Sequence, residues 1–118
     1  MITVFYTDYY EHVSEENLEL TLEECLELFD ETINLVDNLV GIQVGKHTMQ
    51  FHCDEDHILV EVINPSTLIN AQMYADKAQC LEIIREIYDK QQLFVYPQMK
   101  LVDVRKESLD DVLERGDQ

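Results

Sequence analysis

Basic residues are absent from the first 45 positions of this chain, which hold eleven aspartates and glutamates. Lys46 is the first base, and up to Asn64 the count is fifteen acids to one base. From Pro65 onward the count is ten acids to seven bases. A net charge of -17 keeps a protein soluble and argues against nucleic acid or an anionic membrane as its ligand. The expected partner is therefore a basic protein.

Glycine, proline and serine are also scarce. The chain has three glycines and two prolines, and no glycine-rich stretch leads into Lys-Ser or Lys-Thr, so a phosphate-binding loop is excluded. Its serines, Ser14, Ser66 and Ser108, do not lie in a glycine-rich nucleophile elbow. Carboxylates are so numerous that no general acid and base can be singled out. We therefore assign no catalytic residue and no cofactor, and expect a protein that is not an enzyme.

Three cysteines cannot complete a set of disulfides. Cys25, Cys53 and Cys80 each lie among apolar residues, which predicts buried free thiols in a reducing compartment. The N-terminal stretch has no basic region and too short an apolar run for a signal peptide. No segment approaches the roughly 20 apolar residues of a membrane span. A cytoplasmic protein is expected.

The length and composition predict one folded domain over residues 1–118. A chain of this length buries roughly two-thirds of the surface that it exposes when unfolded. The apolar fraction of 46% is ordinary for a globular protein. Ser108 and Asp111 have the spacing of a cap for a short terminal helix, expected to fray at Gly116. Residues 106–118 are accordingly expected to form a peripheral, partly frayed tail.

Residues 21–36, TLEECLELFDETINLV, are predicted to form the central helix of the fold. Its apolar face combines spacings of three and four residues: Leu22, Cys25, Leu26, Phe29, Ile33 and Val36. Thr21 and Glu24 have the spacing of a capping box. The other face carries only acids, with no base in the helix to pair with them: Glu23, Glu24, Glu27, Asp30 and Glu31. Because like charges one turn apart destabilise a helix, something other than helix stability favours this acidic face.

Short strands and turns are predicted for most of the remaining chain. Strand-forming residues cover 2–6, 42–46, 47–53, 57–63, 68–74 and 99–104, and a second helix covers 77–91. The polar stretch 7–19 is expected to be a loop. Strands joined by turns of two to four residues must be antiparallel. The predicted fold class is α+β, an antiparallel meander with two main helices packed on one face, in the order β-α-β-β-β-β-α-β plus a short C-terminal helix.

Residues 52–57, HCDEDH, form the one local cluster with metal-ligand chemistry. In a hairpin His52 and Cys53 point to opposite faces, and the sequence has no matching Cys-x-x-Cys or His-x-x-x-His pair. An acidic turn flanked by surface histidines is the favoured interpretation, with a metal site as the alternative. No metal is expected.

The acidic surface is the remaining candidate for function, although a run of charge is usually only a solvated face. Forty-five residues without a base and like-charge crowding on a helix favour a binding surface instead. Tyrosine is a frequent interface anchor, and a field of carboxylates speeds encounter with a cationic partner. The candidate binding residues are Tyr9, Tyr10, Glu23, Glu24, Glu27, Asp30, Glu31, Asp54, Glu55 and Asp56.

The layout of the chain over residues 20–104 resembles that of bacterial immunity proteins. An early acidic helix, LTLEECLELFDETI, precedes a hairpin, GIQVGKHTMQFHCDEDHILVEVINP, and a strand-to-helix passage, AQMYADKAQCLEIIREIY. It is similar in particular to the α+β immunity family found beside deaminase and nuclease toxins of polymorphic toxin systems. The chain departs from many of these proteins because it has no tryptophan.

This resemblance implies a cytoplasmic, stoichiometric inhibitor. Such a protein binds a cognate secreted toxin with a basic active-site cleft and blocks that site, with carboxylates where the phosphates of the nucleic acid would lie. Two other classes stay open. A DNA-mimic inhibitor of the anti-restriction or anti-CRISPR kind would need two long rows of acids, whereas the C-terminal half is nearly balanced in charge. A regulatory or structural domain would use its charge only for solubility.

Overall fold

The computed structural model describes residues 1–116, which form one antiparallel sheet and three helices. The elements are β1 (Ile2–Asp8), β2 (Val13–Leu18), α1 (Leu22–Thr32), β3 (Leu39–Val44), β4 (His47–Cys53), β5 (Ile58–Ile63), β6 (Ile69–Ala75), α2 (Lys77–Lys90), β7 (Lys100–Asp103) and α3 (Leu109–Glu114). The strand order is β2-β1-β3-β4-β5-β6-β7. The predicted α+β meander is confirmed. None of the helices in this part of the chain has the length and apolar composition to cross a membrane.

Helices α1 and α2 cover one face of the sheet, which we call the helix-covered face. Alternate strand residues such as Ile42, Phe51 and Val60 point towards these helices and are fully buried. Phe29 of α1 meets Phe51 of β4 edge to face, with 5.3 Å between the ring centroids. Fully burying an aromatic or aliphatic side chain stabilises the fold by roughly 1.5–3 kcal/mol. The main core therefore lies between α1, α2 and the middle of the sheet.

Helix α3 packs on the opposite face, at the β5-β6-β7 end. Leu109 and Val112 are buried against Val102 of β7. The hydroxyl of Tyr74 donates a 2.7 Å hydrogen bond to Asp110, which ties α3 to β6. The expected peripheral tail thus contains a helix seated on a small core of its own. The last two residues of that tail lie outside the described residues.

Strand β2 is not predicted by the sequence. Residues 7–19 are expected to form a loop, but β1 continues to Asp8, and Val13–Leu18 pairs with it. Every residue of β2 except Leu18 is exposed, so no apolar alternation marks the strand. A bulge interrupts the pairing opposite Val4 and Tyr6, and nearby Asn17 has a φ of 59°. A polar edge strand of this kind is specified by its partner strand rather than by its own sequence pattern.

Helix α1 begins as predicted but ends earlier. The capping box of Thr21 and Glu24 is present, whereas the helix ends at Thr32 instead of Val36. Val36, expected on the inner apolar face, is exposed. The amide of buried Asn38 donates a 3.0 Å hydrogen bond to the carbonyl of Thr32, which pairs a carbonyl group at the helix end. This contact turns the chain away from the helix and towards β3.

The Phe29→Ala substitution is expected to lower the free energy of unfolding by about 3–5 kcal/mol, because it opens a cavity between α1 and β4. Val36→Ala is the matched control and should change the free energy of unfolding by less than about 0.5 kcal/mol, because that side chain is exposed. Urea denaturation followed by circular dichroism measures both values. Similar losses for the two variants would contradict the early end of α1.

Candidate functional site

A groove on the helix-covered face runs between α1 and the β1–β2 hairpin, and encloses about 360 Å³. We call it the acidic groove. Its floor is largely aliphatic and its walls carry carboxylates from two different elements. The lining residues are Tyr6, Glu15, Leu18, Leu20, Glu24, Glu27, Leu28 and Glu31. No base is among them.

The spacing of α1 and the pleat of β2 build this groove. Glu24, Glu27 and Glu31 follow one another at intervals of three and four residues and so lie along one side of the helix. Across the groove, Glu15 and Leu18 belong to β2 and pair with Tyr6 and Val4 of β1 on the same face of the sheet. The aliphatic floor and the acidic walls therefore each combine residues of α1 with residues from the side of the β1–β2 hairpin. The fold brings these separate parts of the chain together.

Three of the five helix acids predicted to bind a partner line the groove. Glu24 also accepts a hydrogen bond from the backbone N–H of Thr21, so part of its role is to cap the helix. Asp30 is paired instead, because the ammonium of Lys77 lies 2.5 Å from its carboxylate. Glu23 is exposed but is not part of the groove. The sequence shows no base inside α1, and α2 supplies one for Asp30.

Glu15 holds the hydroxyl of Tyr6 at one wall of the groove. The phenol donates a 2.6 Å hydrogen bond to this carboxylate. The hydrogen bond, together with partial burial, raises the pKa of Tyr6 to about 12. Glu15 was not among the predicted binding residues. The acid-rich sequence of β2 was the available sign that Glu15 could belong to a binding surface. Only the strand pairing, however, places Glu15 opposite α1.

Tyr9 and Tyr10 lie in the turn between β1 and β2, and their side chains are 56% and 54% exposed. The hydroxyl of Tyr10 donates a 3.1 Å hydrogen bond to the carbonyl of Val36. With neighbouring residues the two rings line a cavity of about 450 Å³ at the end of the sheet: Tyr9, Tyr10, Val36, Asp37, Leu39 and His52. We call the turn between β1 and β2, with its two rings, the tyrosine turn. Two exposed rings, one of them tied to the backbone at Val36, are suited to binding another protein.

Asn38 connects the tyrosine turn to α1. Its side-chain oxygen accepts a 2.9 Å hydrogen bond from the N–H of Tyr9, while its amide group donates to the carbonyl of Thr32. Its own backbone carbonyl accepts from the N–H of Cys53. Asn38 is fully buried, so without its side chain the N–H of Tyr9 and the carbonyl of Thr32 would lose a partner that water could not readily replace.

The acidic turn between β4 and β5 lies at the same end of the sheet as the tyrosine turn, because Leu39 pairs with both Thr7 of β1 and His52 of β4. Glu55 and Asp56 are exposed there. The carboxylate of Asp54 lies 3.7 Å from the ring of His57 and accepts the N–H of Glu55. Eight of the ten predicted binding residues thus fall into two groups, three in the acidic groove and five at the end of the sheet, while Glu23 and Asp30 lie outside both.

The cluster at residues 52–57 is divided between the two faces of the sheet. Cys53 points into the helix-covered core, whereas His52 lies on the other face, 3.5 Å from Asp37. The ring of His57 stacks on Tyr74 at 3.7 Å between centroids. Within residues 1–116 no three histidine, cysteine or carboxylate side chains are grouped to hold a metal ion.

The three cysteines are buried and free, as the sequence predicts. Burial raises the pKa of the Cys25 thiol to about 11 and that of Cys80 to about 12. Burial also raises the pKa of Cys53. All three are therefore protonated at neutral pH and are unsuited to nucleophilic attack.

Comparison with protein-family models, with curated proteins and with solved structures gives no match to this chain.

Asn38→Ala is expected to lower the free energy of unfolding by about 1–3 kcal/mol, since it leaves buried backbone groups without partners. The amide of Tyr9 should also lose protection from hydrogen exchange, because its acceptor is removed. Asn34→Ala is the control, because Asn34 is close in sequence and its own hydrogen bonds, with the carbonyl of Asp30 and the ammonium of Lys77, are exposed and do not involve Tyr9. An unchanged exchange rate at Tyr9 would contradict the role of Asn38. Exchange measured by NMR and urea denaturation provide the two readouts.

The pKa of Tyr6 is expected to fall from about 12 towards 10 in the Glu15→Gln variant, because the hydrogen bond to a carboxylate is lost. In the native protein the folded state keeps a proton between pH 10 and 12 that the unfolded state releases. The stabilisation from Tyr6 is therefore complete below pH 10 and is lost as the pH rises through this window. NMR titration of the ring measures the pKa. Glu16→Gln, one residue further along β2, should leave it unchanged.

Proposed function

We propose that this protein is a cytoplasmic immunity protein that binds a cognate secreted toxin and blocks its active site. The toxin would be a nucleic-acid deaminase or nuclease with a basic cleft. One observation carries the proposal: the acidic groove, in which four carboxylates stand over a floor of leucines with no base among the lining residues.

The chemistry of the groove favours lysine and arginine side chains of a protein. Their aliphatic stems can lie on Leu18, Leu20 and Leu28 while the charged groups reach the carboxylates. Arginine can bind a carboxylate through two parallel hydrogen bonds. A small inorganic cation would not use the apolar floor. The partner that fits is therefore a protein surface on which bases alternate with apolar atoms.

The charge of the whole chain supports fast capture of such a partner. A net charge of -17 attracts a cationic domain over several ångströms, and steering of this kind raises association rates to about 10⁸–10⁹ per molar per second at low salt. Glu55 and Asp56 extend the negative field around the tyrosine turn. In this proposal the carboxylates select the partner, while Tyr9 and Tyr10 supply apolar contact area that strengthens the complex.

The cytoplasmic location belongs to the same proposal. Three buried free thiols suit a reducing compartment, where disulfides are rare. An immunity protein works there, since the toxin must be neutralised before it reaches the nucleic acid of the producing cell. No catalytic residue is assigned, because inhibition by binding needs none.

Reversing two groove charges tests the proposal. The Glu27→Lys, Glu31→Lys double variant is expected to weaken binding of the cognate toxin domain, to be sought first in the protein encoded immediately upstream, by at least about 100-fold. Glu24 is kept because its side chain caps α1. The Glu82→Lys, Asp89→Lys variant of α2 changes the net charge by the same amount outside the groove and should bind nearly as the native chain does.

Calorimetric titration provides the affinities, and circular dichroism confirms that both variants fold. Equal affinities for the groove variant and the native chain would reject the acidic groove as the binding site. Inhibition of several unrelated DNA-binding enzymes, with a steep loss of affinity on adding salt, would instead indicate a DNA mimic. A chain that binds none of these proteins would have its charge for solubility alone.

A further inference from the structure

The edge of the sheet opposite the acidic groove carries an apolar surface. Strand β7 is the outermost strand there. On the helix-covered face, α2 leaves Ile69 of β6 and Leu101 of β7 exposed. A groove of about 480 Å³ lies at this place. We call it the β7 patch and define it by Lys46, Val62, Ile69, Ala71, Val95 and Leu101. Leu101 is 67% exposed and Val95 is 64% exposed, more than any other large apolar residue except the N-terminal methionine.

We propose that the β7 patch binds a second copy of this chain and forms a symmetric dimer. Charge selects the surface at which two copies can meet, and the position of β7 at the edge of the sheet favours the same strand of a second copy as the occupant. Two copies that carry -17 each repel one another wherever acids face acids. No residue lining the β7 patch is acidic, although the chain has 25 acids. Four of its six residues lie beyond Pro65, where seven bases and ten acids leave a net charge of -3.

The other edge of the sheet is closed to self-association. Strand β2 carries Glu15 and Glu16, and Glu27 and Glu31 of α1 stand beside it. Two copies meeting there would bring these carboxylates together without a base. Charged edge strands commonly prevent unwanted pairing of sheets. Of the two edges, only β7 offers a groove that has no acid among its lining residues.

The geometry of β7 allows a two-fold arrangement. A two-fold axis perpendicular to the sheet pairs β7 with itself in the antiparallel direction and keeps each face on its own side. In that arrangement Leu101 can lie opposite the same residue of the second copy. Both leucines then project on the face that holds Val95 and Ile69, so the two apolar patches become continuous. Pairing would also supply partners for the outward backbone groups of Leu101, whereas the carbonyl of Asp103 already accepts from the N–H groups of Lys106 and Glu107.

This dimer does not depend on the proposed function. The acidic grooves lie at the two far edges of the joined sheets, so that each copy keeps its groove accessible. A dimer could therefore form whether or not a toxin is bound, and loss of toxin binding would leave the dimer intact.

Sedimentation velocity on the full chain, over a concentration series in physiological salt, tests the proposal. The native chain is expected to sediment as a dimer of twice 13.9 kDa. Leu101→Lys and Val95→Lys should each give a monomer, although both substitutions reduce the net negative charge and so weaken general repulsion. Val13→Lys, on the opposite edge strand, is the control and should remain a dimer.

Salt provides a second readout. Salt screens the repulsion between two acidic chains, so the dissociation constant of the dimer is expected to fall as salt is added. A contact in which the acidic groove of one copy binds bases of the other copy would weaken instead. A native chain that stays monomeric throughout the series overturns the proposal. A dimer that survives both Leu101→Lys and Val95→Lys overturns it too, since another surface would then hold the copies together.

Discussion

The contact between Phe29 and Phe51 is the interaction on which the rest of this structure depends. It holds α1 on the middle strands, and the position of α1 in turn decides where its acids lie. Both rings are fully buried, so the contact combines burial of apolar area with a favourable edge-to-face geometry. Because α1 is fixed in this way, one side of the helix becomes a wall of the acidic groove, and the chain beyond its end supports the tyrosine turn.

The distribution of charge makes the two edges of the sheet different. The β2 edge combines a polar strand with an acidic helix, whereas the β7 edge carries exposed aliphatic residues and no acid in its groove. Acids kept close together cost stability through repulsion. The fold reduces this cost in places: Lys77 pairs with Asp30, and Tyr6 donates to Glu15. The carboxylates of Glu27 and Glu31 have no such partner from a base within the groove.

Several features followed directly from the sequence. The spacing of apolar residues identified both main helices, and Thr21 with Glu24 marked the start of α1, because capping depends on residues close in the chain. Alternation identified the strands that pack against the helices. The same reasoning missed β2, whose exposed residues show no alternation, and placed the end of α1 too late. The apolar spacing continues to Val36, but the hydrogen bonds of Asn38, which come from the folded neighbourhood, end the helix first.

The sequence by itself determined the excess of acids and the amphipathic helix that carries many of them. Those properties are local or additive, so they can be counted along the chain. Only the tertiary structure decided which acids act together. It grouped Glu15 with Glu24, Glu27 and Glu31, paired Asp30 with Lys77, and put the β4–β5 turn at the end of the sheet. Strand pairing and helix docking join residues far apart in sequence, and no local pattern records those distances.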